Sequence, residues 1–452
     1  MPTLHLTSKR NQRDFAWPGA LLADREEPTW PEIRAAVDSL AEDAGPVYLT
    51  GGEPTMRRDV FAVLDQLANV FPERDFVLVS NGRTFCYDRL CDALAAIRAT
   101  RLTVEVWIAS TRREVHDRVT GVAESLDQAN RGIQQLLARH QRTRVRVLVG
   151  RHNVEHLHEI AACIPDRFAG IEGVVWDVAA LATPGSALRL RPNEAASYLE
   201  SALNLLRARR TRATVVGVPA CALSEKFRSD LDRTTIGAFR DECTPCQARA
   251  ECPGLLGGLG TDAAFHVDPI VTKTTAEAEA DYAHYLSALL HRYAPPRANA
   301  VLDAMCGQSL RNLPILRRVF GDAMMVHGTD VDLDPRTKSP AGTAFLRADL
   351  LRPLPTPWRY DFIALFKPAA NQPGLPSAQV FTNLVAALQP GGYLLIVLAE
   401  HTDVDDIVAV LRRLDVALLT SEPNALRTNV EPEHKWVIVC RAGGGASWAT
   451  AS

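Results

Sequence analysis

The sequence has no excess of either charge, no long apolar run and almost no low-complexity tract. Lys+Arg 50 stands against Asp+Glu 53, a net charge of -3 over 452 residues, so no global field draws nucleic acid or an anionic membrane surface. No stretch approaches the ~20 consecutive apolar residues that span a bilayer. The opening MPTLHLTSKR lacks the apolar centre of a secretion signal. These absences predict a cytoplasmic, soluble chain with no nucleic-acid partner and no membrane partner. Nine cysteines are present, but their odd number, the chain length and the missing export signal point to reduced thiols, some of them ligands. Only the end, residues 444–452, has the composition of a disordered tail. At roughly 150 residues per domain, the length sets an expectation of about three units.

What is present alternates. TLHLT (3–7), VYLT (47–50), FVLVS (76–80), LTVEVWI (102–108), RVRVLVG (144–150) and GVVWDV (173–178) are β-branched runs separated by helical patterns such as VFAVLDQLANVF. That spacing implies βα units and a parallel sheet, and six units suggest a partial, TIM-like (βα)6 barrel over residues 1–190. A module over 191–268 follows, with one helix, one strand (ATVVGVP) and a loop-rich stretch holding four cysteines. Such a stretch needs a staple, since it cannot build much core. TTAEAEADYAHYLSALLHRYAPP reads as an amphipathic helix stopped by two prolines, a linker over 269–297. Strands and helices then alternate again over 298–443, a second open α/β sheet of Rossmann-like type.

Four stretches of the first half sit at strand ends. They are LTSKRNQRDFAWPG (6–19), LTGGEPTMRRDVFAVLDQL (49–67), VSNGRTF (79–85) and ASTRREVHDRVTGVAESLDQANRGIQQL (109–136). Together they resemble the radical SAM superfamily over about residues 3–180. The resemblance implies a C-x3-C-x2-C loop around a four-iron cluster and a GGE motif for the amino group of S-adenosylmethionine. In register, the three cysteine positions are Arg10, Asp14 and Trp17. Arginine does not deprotonate, indole is no ligand and a lone aspartate leaves two irons bare, so radical initiation is not expected. Arg10 and Asp14 are expected to pair where the cluster would lie, with Trp17 packed against them; alternatively, Trp17 and Phe15 are plain core residues. Gly51, Gly52 and Glu53, with Ser80 and Asn81, are either a vestigial S-adenosylmethionine site or an inherited turn.

Cys221, Cys243, Cys246 and Cys252 read C-x21-C-x2-C-x5-C. Four thiolates at such spacing suit a tetrahedral zinc ion or a 4Fe-4S cluster. The stretch resembles a reduced auxiliary-cluster module of SPASM or twitch type, with Leu256 where a further cysteine would continue it. Cys86, Cys91, Cys163 and Cys440 lack such spacing and read as small core residues. His152, His156 and His158, with Glu155 and Glu159, read as a solvated helix start rather than a metal site.

VLDAMCGQSLRN (301–312) places an acidic strand end before a Cys-Gly turn. It resembles the first motif of class I methyltransferases, hhDxGCGxG, with Met305 and Ser309 in place of two glycines. The resemblance implies cofactor contacts from Asp303, Met305, Cys306 and Gly307, from Asp330 to the ribose, from Asp349 to the adenine amino group, and from Phe366. The Met305 change reads as mild, because the chain can still turn at Cys306 and Gly307. LFKPAANQPG does not match the Asn/Asp-Pro-Pro-Tyr pattern of some nitrogen-directed enzymes, so the acceptor atom stays open. Lys367, Glu400 and His401 are the candidates for catalysis, with surface loop residues as the plainer reading.

The sequence therefore predicts an S-adenosylmethionine-dependent methyltransferase fused to a barrel without radical chemistry. The barrel would serve as a scaffold for a small-molecule or peptide substrate or for a partner enzyme, in natural-product or modified-peptide biosynthesis. Two alternatives remain: a non-catalytic partner of a separate radical enzyme, and a redox protein using only the auxiliary cluster.

Overall fold

The computed structural model describes residues 2–12, 26–41, 45–178, 188–256, 267–307, 309–321, 325–331, 334, 336–355, 357–366, 378–399, 404–414, 416–426, 431 and 433–443. Asp14, Phe15, Trp17, Lys367, Glu400, His401 and the tail 444–452 lie outside them, and with them the expected Arg10–Asp14 pair. The chain divides into two compact units, Met1–Ile270 and Val271–Ser452.

The first unit is built on β1 (Thr3–Thr7), β2 (Val47–Gly51), β3 (Phe76–Ser80), β4 (Leu102–Ile108), β5 (Thr143–Leu148), β6 (Val174–Asp177) and β7 (Ala213–Val216). The helices that cross between them are α1 (Trp30–Asp38), α2 (Val60–Val70), α3 (Asp88–Ala96), α4 (Arg113–Thr120), α5 (Ser125–Ala138), α6 (Leu157–Arg167) and α7 (Pro192–Ala208). The strands pair in sequential order, all parallel. Every residue of β3 and of β4 is buried, as a parallel sheet covered on both faces requires. The sheet has seven strands rather than the expected six. α7 and β7, assigned from sequence to the cysteine module, form a further βα unit, because β7 completes its backbone hydrogen bonds along β6.

One face of this sheet carries a buried ionic ladder. Arg144 donates to the Tyr48 hydroxyl at 3.0 Å and Arg146 to Asp177 at 2.5 Å, and both guanidinium groups donate to Glu105. Burial pushes the Glu105 carboxyl up, but Arg146 and Arg144 hold it below its ordinary value, so Glu105 is a charged centre paired with both guanidinium groups.

The second unit contains α8 (Thr275–Tyr293), β8 (Ala300–Ala304), α9 (Asn312–Val319), β9 (Met325–Asp330), β10 (Ala344–Arg347), β11 (Tyr360–Phe366), α10 (Ala378–Ala386), β12 (Leu388–Leu398), α11 (Val404–Leu411), β13 (Val416–Pro423) and β14 (Trp436–Ala442). Its sheet runs β10-β9-β8-β11-β12-β14-β13, with β14 antiparallel to both neighbours. The chain moves outward from β8 through β9 to β10, then returns to the other side of β8 as β11. The carboxyl end of β8 is thus a topological switch point, where open α/β sheets leave a crevice.

α8 is not a linker. Its Tyr282, Tyr285, Leu286, Leu289, Leu290 and Tyr293 are buried in the core formed with β8, β9, β11, β12 and β14. Thr274 starts it with a capping box: its hydroxyl accepts from Glu277 N at 3.3 Å, and Glu277 accepts from Thr274 N at 2.8 Å. The cap contributes about 1 kcal/mol, less than one buried leucine, roughly 1.5–3 kcal/mol, so packing decides where the helix belongs.

Candidate functional site

At the carboxyl edge of the first sheet, the GGE turn lies directly on β1 and the loop that follows it. Gly52 N donates to Thr7 O at 2.7 Å and Glu53 N to Lys9 O at 2.8 Å. Gly51 has φ 139, and a Cβ there would stand 2.3 Å from Thr7 O; a Cβ on Gly52 would stand 2.2 Å from Lys9 O, with Arg10 Cγ beside it at 2.9 Å. Only glycine permits this approach. The Glu53 carboxylate is buried and occupied. One oxygen accepts from Thr55 Oγ1 at 2.6 Å, Ser80 Oγ at 2.8 Å and Thr55 N at 3.2 Å; the other accepts from Asn81 N at 2.8 Å. Burial raises its pKa against the pull of these donors. Asn81 Nδ2 donates to Asn11 Oδ1 at 2.7 Å, and Arg83 donates to Asn11 O. The amides and carboxylate of the motif are thus engaged by the chain itself.

The four cysteines share one place. Cys221, Cys243, Cys246 and Cys252 line a single cavity of about 20 Å3 with Phe239 and Leu255, a volume on the order of one or two water-sized spheres. Backbone N–H groups point at the sulfurs: Ala220 N and Gly254 N lie 3.3 and 3.4 Å from Cys252 Sγ, and Ile270 N lies 3.4 Å from Cys246 Sγ. Such donors surround metal-bound thiolates. Yet among the described residues no three His, Cys, Asp or Glu side chains are gathered closely enough to hold one ion. Burial pushes the Cys221 thiol up to about 12, against a backbone hydrogen bond from Asp268 and reinforced by Cys252 nearby. The set fits a metal in donor type and shared cavity, but not in present spacing. Cys91 and Cys440 are buried, Cys86 and Cys163 half-buried. His156 contacts Arg112 at 3.1 Å, Glu159 accepts from the same guanidinium at 3.0 Å, and His158 faces Ser201 at 3.2 Å. These partners separate His156 from His158, and His152 is not part of a solvated helix start: both its ring nitrogens are buried without a hydrogen-bond partner, and burial pulls it down to about 4.

The switch point of the second sheet differs. Asp303 is 0% exposed, and neither carboxylate oxygen has a hydrogen-bond partner. Burial pushes it up to about 7, opposed by nearby Asn312 and reinforced by Asp330. The turn after β8 packs on β9: Cys306 N donates to Thr329 O at 3.0 Å and Gly307 N to Asp330 Oδ2 at 3.1 Å. A Cβ on Gly328 would stand 2.8 Å from Cys306 Sγ. Met305 itself takes φ 61, followed by Gly307 at 66 and Leu310 at 51. The Met305 substitution is therefore not mild: the turn needs the left-handed conformation at that residue, where a side chain costs about 1–2 kcal/mol. Asp349 is exposed and accepts from Leu351 N at 2.9 Å. Phe366 is buried at the end of β11.

The sequence reading missed a buried polar group beside these residues. Tyr282 donates to Asn312 Oδ1 at 2.5 Å, and the Arg311 guanidinium lies 3.7 Å over the Tyr282 ring while pairing with Glu431. His434 contacts the Tyr285 hydroxyl at 2.9 Å and stacks on Phe366, with ring centroids 5.7 Å apart. Glu431, His434 and Lys435 are 4%, 1% and 2% exposed. The one available signal was HK placed immediately before the apolar run WVIVC, with Glu431 three residues before His434.

No family model and no curated protein matches the chain. Among solved structures it is similar to SuiB of Streptococcus suis bound to S-adenosylmethionine, at 13% identity over 50% of this chain and 51% of that chain, TM-score 0.39. The chain thus spans about half of SuiB. It is also similar to the N-methyltransferase NodS of Bradyrhizobium japonicum, at 14% identity over 38% of this chain and 99% of that chain, TM-score 0.29. The glycopeptide N-methyltransferase MtfA, complexed with S-adenosylmethionine, is similar at 13% identity over 35% of this chain and 93% of that chain, TM-score 0.29.

Proposed function

We propose that the second unit binds S-adenosylmethionine at the carboxyl edge of β8, β9 and β10 and transfers its methyl group to a small-molecule or peptide nucleophile. The observation that carries this reading is Asp303. A fully buried carboxylate with no donor in good hydrogen-bond geometry, the Asn312 side chain standing near it, is costly, and a ligand bearing positive charge at the switch point offsets that cost. When bound, S-adenosylmethionine supplies an electrophilic methyl group on a sulfonium. The protein's part is to bind and orient it. Asp303 faces the cationic amino-acid end, the turn at Met305, Cys306 and Gly307 offers backbone groups, Asp330 accepts from the ribose hydroxyls and Asp349 from the adenine amino group. Phe366 walls the methyl side.

In this reading the first unit is a partial barrel of radical SAM type that has lost its cluster and serves as a scaffold for substrate or partner enzyme. The four cysteines hold a zinc ion or iron-sulfur cluster that staples the loop-rich segment; no step of methyl transfer needs it. Nine free cysteines suit a reducing cytoplasm, and among the described residues no helix is long and apolar enough to cross a membrane.

Calorimetric titration of S-adenosylmethionine into the full chain tests the reading. Asp330→Ala should weaken binding by roughly 1.5–3 kcal/mol, about tenfold to a hundredfold, and Glu53→Ala should leave it unchanged. Loss of binding in Glu53→Ala with full binding in Asp330→Ala would place the cofactor in the first unit and overturn the assignment.

A further inference from the structure

We propose that the first unit carries an anion site at the amino-terminal end of its sheet, opposite the GGE turn, and that this site takes the phosphate chain of a di- or triphosphate. The proposal goes beyond the methyl-transfer reading and does not depend on it. A cavity of about 630 Å3 lies between the turn from α6 to β6 and the turn from α7 to β7, beside the start of β5. Arg142, Arg209, Arg210 and Arg212 line it, with Glu172 as the acidic residue of its wall. Small-molecule sites span roughly 300–1,000 Å3. In a chain of net charge -3, this cavity gathers charge of the opposite sign.

Two of the four guanidinium groups are already met. Arg142 donates to Glu172 Oε1 at 2.5 Å, and Arg209 pairs with Asp166 and donates to Ala162 O at 3.1 Å. Asp75 stands 3.8 Å from Arg142 and 3.5 Å from Arg101, which share it. Arg210 and Arg212 are exposed, and neither side chain has a hydrogen bond or ion pair among the described residues. The dipole at the end of α7 does not account for them. That end already has Arg207 in its last turn, and the dipole's pull falls off beyond it. The backbone supplies a second observation. Arg210 N donates to Arg207 O at 3.0 Å and Thr211 N to Leu206 O at 2.9 Å, closing the helix with Arg210 in the left-handed conformation, φ 55. Glycine takes that position without strain, yet the chain keeps a cation there, at the cavity wall. Arg98 and His140 hold the same left-handed position after α3 and α5, so basic side chains recur around this end of the sheet.

The wall also selects the class of ligand. A guanidinium takes two phosphate oxygens in its fork and keeps its charge at any working pH. Arg210 and Arg212 leave two positive charges uncompensated, and neighbouring phosphates of one chain meet both. Phe168 is 1% exposed and Ile171 half-buried, so they offer little apolar surface, and recognition rests on charge. Gly170 stands in the same wall with open space where a Cβ would be, which leaves room beside the arginines.

The test is calorimetric titration of the full-length protein with inorganic tripolyphosphate and, separately, with ATP at low ionic strength. The expected result is saturable binding that weakens as salt is added, with a loss of about tenfold in each of Arg210→Gly and Arg212→Gln. Arg210→Gly also relieves the left-handed backbone, so its urea midpoint should rise while its affinity falls, which separates a lost contact from a lost fold. Equal affinities for the two probes assign recognition to the phosphate chain alone, and tighter ATP binding that is lost in the same variants adds a contact to the nucleoside; both results support the site. No saturation by about 1 mM tripolyphosphate, or full affinity in the Arg210→Gly, Arg212→Gln double variant, overturns it. Tighter binding of a single-stranded oligonucleotide than of tripolyphosphate also overturns it, since the arginines would then serve a nucleic-acid backbone.

Discussion

Glu53 and Asp303 both stand at the carboxyl ends of parallel strands, both are buried, and they keep opposite company. Glu53 accepts four hydrogen bonds from its own chain, while Asp303 accepts none. The first acid has become part of the fold: it ties the end of β2 to the end of β3, and removing it would strand two hydroxyls and two amides. The second is held in a position that folding alone disfavours. A motif therefore identifies a location, and the state of hydrogen bonding there separates a turn that supports the sheet from a place prepared for a ligand.

The contrast can be broken most severely at Asp303. Its carboxyl titrates at about 7 in the folded protein against an ordinary 3.8. Between those values the folded state holds more protons than the unfolded state, so stability falls as pH rises through that window, by ~4 kcal/mol in all. Asp303→Asn should remove this slope, leaving the unliganded second unit more stable at neutral pH and poorer at binding S-adenosylmethionine; urea unfolding at both ends of the window measures it. An unchanged slope would mean the carboxylate is paired after all.

Next in size is Glu53→Ala, which should cost the first unit about 3 kcal/mol through the unpaired groups it leaves without altering cofactor affinity. Unfolding curves and calorimetry on one preparation check both halves. The Asp330→Ala loss stated above comes third, because the ribose hydroxyls can fall back on water. Smallest is Met305→Gly, expected to stabilise the second unit by about 1 kcal/mol by relieving a left-handed methionine, read as a rise in urea midpoint. A fall would show that the Met305 side chain contributes more by packing than its backbone costs.

How much of this the sequence revealed depended on whether a pattern carries its own partner. β1, β3 and β4 begin and end at the residues that β-branched runs and flanking turns predict, because burial on both faces leaves little else for FVLVS or LTVEVWI to do. β7 was missed as a strand of the sheet: ATVV reads the same whether or not β6 lies beside it. α8 shows one apolar face in sequence, but nothing in its spacing says that β8 and β14 cover that face. The turn at Met305 looked tolerant because a dihedral angle is invisible in letters. Glu431, His434 and Lys435 were passed over for a related reason. In sequence the polar run EPEHK looks like surface, and only burial in the folded chain shows that these three side chains are enclosed.

The late position of β14 has a consequence for how the protein is made. Synthesis delivers β8 through β13 first, and until residues 436–442 follow, β12 presents an open edge of apolar strand, LLIVL, with its backbone groups unpaired. The sheet is completed by insertion between two strands already made, and the pairing of β12 with β14 waits until residues 436–442 have been added. Chains interrupted shortly before this strand would therefore carry a sticky edge, so premature termination here should yield aggregates rather than a soluble fragment.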